Sequence, residues 1–210
     1  MAVFDDISTA VQKGKAEDTE KYVLSALAEG CSAGEILEKA LLPAMDIVGA
    51  KFKNNEIFVP EVLVAARAMN RATSILKPHL AEGKRAKGRV IIGTVKGDLH
   101  DIGKNLVKIM LEGKGLEVFD LGVSVPAEKF VNEAIDKNAD IICCSALLTS
   151  TMQEMKNVVE EAKKAGIREK VKIMVGGAPL NEDFCRETGA DLYTPDAATA
   201  AEKAVELIGR

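Results

Sequence analysis

The chain has 210 residues, 47% apolar and 4% aromatic, which suits one large domain or two small ones. Its 28 Lys and Arg against 32 Asp and Glu give a net charge of −4, so composition offers no basic face for nucleic acid. No apolar run reaches the length of a membrane span and the N-terminus lacks a signal-peptide pattern, so a cytoplasmic protein without membrane contact is expected. The four cysteines, Cys31, Cys143, Cys144 and Cys185, have no metal-type spacing and read as reduced thiols.

Residues 1 to about 82 read as all-helical. Ile7, Ala10 and Val11 begin one amphipathic stretch, closed near Gly14, and Thr19–Glu29 forms a second, ended by Gly30. Ser32 caps a third, with Glu35 at the capping-box position. That helix runs through Ile36, Leu37, Ala40 and Leu41, and Pro43 is expected to kink or interrupt it. Met45, Val48 and Phe52 continue its stripe. After a break at Asn54-Asn55, Pro60 sits in the first turn of a helix carrying Val62, Leu63, Ala66, Met69, Ala72, Ile75 and Leu76. Short loops between such helices make a four-helix bundle.

Ala81–Gly88 is polar, with glycine at both ends of its basic part, and reads as a linker with its centre at 83–88. From residue 89 to 210 strands and helices alternate. Strands are expected at Val90–Val95, Glu117–Leu121, Ile141–Leu147, Val171–Val175 and Asp191–Tyr193. Helices are expected from about 102 through 110, and near 126–137, 151–165, 181–187 and 197–208. Such alternation predicts a flavodoxin-like or Rossmann-like, doubly wound parallel sheet of five strands.

The loop after the first strand carries the chemistry. It reads Gly93-Thr-Val-Lys-Gly-Asp-Leu-His-Asp-Ile-Gly-Lys-Asn105, and a helical pattern with Ile102, Leu106, Ile109 and Met110 follows. Loops at the carboxyl ends of parallel strands are where open α/β sheets bind ligands. Asp98 and His100 are close enough to act together: a histidine can ligate a metal through one ring nitrogen while the other donates to a carboxylate. Gly103 lets a bulky group approach the helix start. A bare Asp-x-His is also what an ordinary capping loop contains. A phosphate loop fails on spacing, because its first glycine would fall on Asp98 and Asn105 stands where its hydroxyl should be. A dinucleotide fingerprint fails for want of its glycine triplet.

Two more constellations end strands on the same edge. Ser145-Ala-Leu-Leu-Thr-Ser-Thr151 is dense in hydroxyls, with Ser150 or Thr151 also placed to cap a helix. Gly176-Gly177 is either a turn or a place where a ligand passes too close for a side chain. In a flavodoxin-like order the loops holding His100 and Ser145–Thr151 face each other across one crevice.

Together, Asp98-Leu-His100-Asp-Ile-Gly103, Ser145-Ala-Leu147 and Gly176-Gly177 resemble the Asp-x-His-x-x-Gly, Ser-x-Leu and Gly-Gly signature of cobalamin-binding domains, in the same order and on the same loops. Leu42-Pro-Ala-Met-Asp-Ile-Val48 and Asn55-Glu-Ile-Phe-Val-Pro-Glu-Val-Leu63 resemble the helical cap of cobalamin-dependent methionine synthase. Nearly the whole chain is thus similar to the corrinoid proteins of anaerobic methyltransferase systems.

The resemblance implies a cobalamin or related corrinoid bound base-off, His-on. His100 would be the lower axial ligand of cobalt, oriented by Asp98, and Thr151 would complete a relay with a hydroxyl able to make the same bond as the synthase serine. Asp101, Ile102 and Leu147 belong to the same motif. Ser145 and Thr149 match positions near the nucleotide tail, for which Gly103, Gly176 and Gly177 would make room. Phe58 matches a shielding aromatic over the upper face. The resemblance further implies a methyl-carrying subunit and not a complete enzyme. Its partners would be a substrate-specific methyltransferase, a second methyltransferase acting on tetrahydrofolate or a thiol such as coenzyme M, and a reductive activase. The alternatives are a cobalamin-binding subunit of an adenosylcobalamin-dependent mutase and a cobalamin-sensing module. The first lacks a reason for the helical cap; the second should carry a DNA-binding segment.

Overall fold

The computed structural model of the chain describes residues 2–79 and 86–209. The chain divides into two compact units between Arg85 and Ala86. Residues 81–85 of the expected linker, Ala81–Gly88, lie outside the described residues.

The first unit is helical: α1 (Ala2–Gln12), α2 (Ala16–Ala28), α3 (Ala33–Ile36), α4 (Leu42–Lys53) and α5 (Val59–Leu76). Its core is built from Ile7, Val11, Val23, Ile36, Leu41, Met45, Val48 and Leu76. The capping box at the head of α3 is present, with the Ser32 hydroxyl accepting from the Glu35 amide at 3.2 Å and the Glu35 carboxylate accepting from the Ser32 amide. Pro43 does not break the chain there. A π-turn over Leu37–Leu41 joins α3 to α4, and the Leu42 amide bonds back to the Leu37 carbonyl. A proline lacks an amide and crowds the carbonyl four residues earlier, so widening the preceding turn lets one helix continue through it. α5 starts after Phe58, whose amide donates to the Glu61 carboxylate at 3.0 Å. No described helix is long and apolar enough to cross a membrane.

The second unit alternates as expected: β1 (Arg89–Thr94), α6 (Ile102–Gly113), β2 (Glu117–Asp120), α7 (Ala127–Asp136), β3 (Ile141–Ser145), α8 (Gln153–Lys164), β4 (Lys172–Gly176), α9 (Glu182–Thr188), β5 (Leu192–Tyr193) and α10 (Ala197–Ile208). The five strands are all parallel, in the order β2-β1-β3-β4-β5. Central strands buried on both faces read as unbroken apolar runs, which is why Val90–Ile92, Ile141–Cys144 and Ile173–Val175 contain so little polarity. On one face Ile91, Ile142, Cys144, Ile173 and Val175 pack with Phe130, Val131, Met155, Val158 and Val159 of α7 and α8. α6 packs on β1 and β2 and against α10.

Two departures from the expected elements mark the site. β3 ends at Ser145, two residues early, because the Leu147 and Leu148 amides turn to the Asp98 side chain and leave the sheet. Ile102, at the head of the expected helical pattern, is 77% exposed, while Met110 and Leu111 are on the buried face of α6.

Candidate functional site

β1 and β3 are neighbours in the sheet although the chain crosses from one to the other through β2. This is the switch point, where the loops leaving adjacent strands diverge and open a crevice. Thr94 pairs with Ser145, and Ser145 with Gly176, so the three constellations found in the sequence stand side by side on one edge.

Asp98 is the centre of that edge and is fully buried. Its Oδ1 accepts from the His100 amide at 3.0 Å and lies 2.7 Å from His100 Nδ1. Its Oδ2 accepts from the Leu147 amide at 2.7 Å, the Leu148 amide at 3.1 Å and the Thr151 hydroxyl at 2.9 Å. Burial alone would raise its pKa. The hydrogen bonds from the His100 amide, the Leu147 amide, the His100 ring and the Leu148 amide outweigh it and hold the carboxyl well below the usual aspartate range. An ionised carboxylate only accepts, so Nδ1 is the ring nitrogen that donates to Asp98, and in the neutral ring the lone pair is on Nε2. The ring is half exposed. The His100 carbonyl is fixed as well, accepting from the Thr94 hydroxyl at 2.8 Å. Sequence and sheet together thus leave Nε2 as the ring nitrogen free of the Asp98 bond, on a loop held by hydrogen bonds on both sides of the histidine.

The Thr151 hydroxyl also lies 2.8 Å from the Leu148 carbonyl, and its single proton is shared between that oxygen and Asp98. Its methyl group is accommodated beside Gly97, lying 3.6 Å from where a Cβ on that glycine would stand. Neither Ser150 nor Thr151 caps α8 with its side chain: the residue before that helix is Met152, and no side-chain cap bond forms.

The glycines divide by what they meet. A Cβ on Gly103 would have nothing within 4 Å, and one on Gly176 would first meet the Thr194 carbonyl at 3.8 Å. Both leave room at the edge. Gly177 is different: its φ is +143°, and a Cβ there would fall 1.8 Å from the Ala146 carbonyl oxygen. The close approach at Gly177 is by the chain itself. Around the open space Leu99, Ile102, Val123, Leu147 and Leu148 expose apolar side chains from three adjacent loops. Such a collar beside a polar centre marks a binding surface for a large, partly apolar group.

Asp101 precedes α6, and its carboxylate accepts from the Asn105 side-chain amide at 3.1 Å. Ser145 ends β3 half-buried, and Thr149 is exposed in the turn that follows. Phe58 is 64% exposed in the helical unit. Val62, Ala65 and Met69 are buried. The cysteines form no disulfide, and burial pushes the Cys143 thiol up to about 12, which makes it inert.

Sequence reasoning passed over Thr94, Lys104, Asp120 and Ser124. Signals were present for two of them, a threonine closing an apolar strand and a lysine on the buried side of a helix start, while Asp120 and Ser124 carried none. What Lys104, Asp120 and Ser124 hold could be read only once β2 was known to lie beside β1.

Among the described residues no cluster of three or more His, Cys, Asp or Glu could hold a bare metal ion. A corrin brings most of its own cobalt ligands, so it would need only one donor from the protein, which His100 could offer. The single aimed histidine, the apolar collar and the open space at Gly103 fit that group.

Fold and site together define an α/β domain of the cobalamin-binding class. A B12 binding domain model matches residues 88–205, and a second B12 binding domain model matches residues 3–77. The chain is 41% identical over 206 residues to dimethylamine corrinoid protein 2 of Methanosarcina acetivorans, covering 97% of this chain and 89% of that protein. It is 42% identical over 181 residues to trimethylamine corrinoid protein 1 of the same organism, covering 85% and 84%. Among solved structures it is similar to the methanol:cobalamin methyltransferase complex MtaBC from Methanosarcina barkeri, with TM-score 0.91 and 29% identity over 99% of this chain and 80% of that one. This chain belongs to the B12-binding family of corrinoid proteins.

Proposed function

We propose that the chain is a methyl carrier: it holds a corrinoid that takes a methyl group at a substrate-specific methyltransferase and gives it up at a second one. The bound corrinoid supplies the chemistry, a cobalt able to accept and release methyl groups, and the protein supplies ligation, orientation and access. The observation that carries this reading is the 2.7 Å contact between His100 Nδ1 and the buried Asp98 carboxylate, which leaves Nε2 for cobalt.

In this reading His100 Nε2 replaces the cofactor's own lower base, giving the base-off, His-on state. Asp98 holds the tautomer and the ring angle, and Thr151 together with the Leu147 and Leu148 amides holds Asp98. Gly103 and Gly176 leave space, and Ser145 and Thr149 are assigned to the displaced tail. Asp101, Ile102, Leu147 and Gly177 shape the loops around it, and Phe58 is assigned to the upper face. The donor class is a methylated amine, because the relatives at 41% and 42% identity bear dimethylamine and trimethylamine names, whereas the methanol complex stands at 29%. The acceptor enzyme would work on a thiol such as coenzyme M or on tetrahydrofolate, and a reductive activase would return oxidised cofactor to use.

The test is paramagnetic resonance of the protein reconstituted with cobalamin and held as cob(II)alamin. Nitrogen splitting from a protein ligand is expected in the wild type and should be lost in His100→Ala, while the mutant keeps its fold. Unchanged splitting in the mutant would remove His100 from cobalt. Methyl loading from methylamines, in the presence of a partner methyltransferase, tests the donor class against methanol.

A further inference from the structure

The loop bearing His100 is held from two sides, and only the β3 side has been accounted for. The other side is the segment that continues β2, residues 120–124. Lys104, in the first turn of α6, is 3% exposed. Its ammonium donates to both oxygens of Asp120, at 2.6 and 2.7 Å, and to Asn105 Oδ1 at 2.8 Å. All three of its donors are therefore used. Asp120 Oδ1 also accepts from the Gly122 amide at 2.9 Å, and Lys108 stands 3.5 Å from Oδ2. Two residues further on, the Ser124 amide donates to the Asp98 carbonyl at 2.9 Å. The Ser124 hydroxyl oxygen accepts from the Gly97 amide at 3.1 Å.

Both features are costly as stabilising devices. In the Lys104–Asp120 pair the ammonium is buried while the carboxylate keeps some solvent, so desolvation of the lysine offsets much of the Coulomb gain and the pair is weak evidence for stability. Ser124 has φ +52°, the left-handed region where glycine would be free and serine is strained. What serine adds there over glycine is the oxygen that the Gly97 amide uses. Segment 120–124 grips the ligand loop before His100, at Gly97 and Asp98, and after it, at Lys104.

We propose that Lys104, Asp120 and Ser124 are positioning residues for the cobalt ligand: they fix both ends of the 97–104 loop, and so the position of the His100 ring. The inference rests on the reading of His100 as the axial ligand. Outer partners of metal ligands cost about 10–100-fold in affinity when removed, and these three act one step beyond Asp98.

The test uses the full chain loaded with cobalamin, in the double variant Lys104→Met/Asp120→Asn and in Ser124→Gly. The double variant strands no buried charge, because Lys108 reaches solvent, and it keeps an acceptor for the Gly122 amide. Ser124→Gly removes the hydroxyl while relieving the backbone, so its apo melting temperature should not fall. Readouts are apo melting, the share of cob(II)alamin showing nitrogen splitting, and the cob(II)/cob(I) midpoint potential. The double variant is expected to bind corrinoid with about a 10-fold lower ratio of His-on to His-off cofactor. Ser124→Gly should show a smaller loss in the same direction, and both should shift the potential. Wild-type splitting and potential in both variants would overturn the proposal, whatever happens to melting. If the double variant does not fold, Ser124→Gly decides alone: wild-type splitting and potential in it overturn the proposal, and a loss of His-on cofactor supports it. A wild type as unsplit as His100→Ala would instead overturn the ligand assignment, and the clamp with it.

Discussion

The two units of this chain solve different problems with different residues. Among the described residues, the one buried polar side chain of the helical unit is Thr19, and its hydroxyl turns back on the Lys15 carbonyl at 2.8 Å. The sheet unit buries Thr188 and Thr194 and, at or beside the carboxyl edge of β1 and β3, Thr94, Asp98, Lys104 and Thr151. Both units expose large apolar side chains: Phe58, Leu63 and Val64 in the first, Leu99, Ile102 and Leu148 in the second. Only in the second do they surround a buried carboxylate. Apolar packing makes a cover, whereas buried, fully bonded polar groups fix one geometry. The chemistry therefore belongs to the sheet unit.

The largest effect is expected where the edge is held by backbone. Gly177→Ala would put a methyl group on the Ala146 carbonyl at a φ that side chains avoid. A loss of about 3 kcal/mol or more in apo stability is expected by chemical denaturation. Binding of full cobalamin and of a corrinoid lacking its nucleotide should then fall together. A selective loss of full cobalamin would show that the glycine serves the tail.

Asp98→Asn comes next. An amide presents donors where the fold supplies amides and a hydroxyl, so about 2–3 kcal/mol of stability should be lost through unpaired donors. Corrinoid affinity should fall about 10–100-fold. The carboxyl is depressed in the folded state, so its contribution is complete above the unfolded aspartate value, about 4, and is lost as pH falls through the lower folded value. The gap between wild type and mutant should stay constant from about pH 5 to 8 and narrow only below about 4. A gap that closes near neutrality would mean that Asp98 is not held ionised by these bonds.

Gly103→Val sharpens the contrast, because a Cβ there meets nothing. Apo stability should stay within about 0.5 kcal/mol, as for surface substitutions, while corrinoid binding weakens. Wild-type affinity would show that the open space at the start of α6 is not used by the ligand.

The smallest effect on folding is expected in the helical unit. Phe58→Ala removes an exposed ring, so apo stability should again change by less than about 0.5 kcal/mol and nitrogen splitting should persist. If Phe58 shields the upper face, the reduced cofactor should oxidise faster in air. An unchanged oxidation rate would leave the ring without that role.

Much of this was legible along the chain because its causes are local. Apolar runs at Val90–Ile92 and Ile141–Cys144 mark strands buried on both faces, and the strand–helix alternation implies parallel pairing. Ser32 with Glu35 marked a helix start, and Asp98 with His100 marked a pair in contact, since each pair lies within a few residues. The rest depended on neighbours that sequence distance conceals. Asp98 finds Leu147, Leu148 and Thr151 some fifty residues away because β1 lies beside β3. Lys104 finds Asp120, and Gly97 finds Ser124, because β2 flanks β1 on the other side. Gly177 needed the Ala146 carbonyl beside it to explain its lack of a side chain. Pro43 needed the wider turn at Leu37–Leu41 before it could sit within a continuous helix. Residue types and their periods determined which segments could be strands, helices and a metal-ligand loop. Which groups satisfy a buried carboxylate, and which glycine leaves room for a ligand, was decided by packing between distant segments, because hydrogen bonds and steric contacts act over ångströms of space and not along the chain.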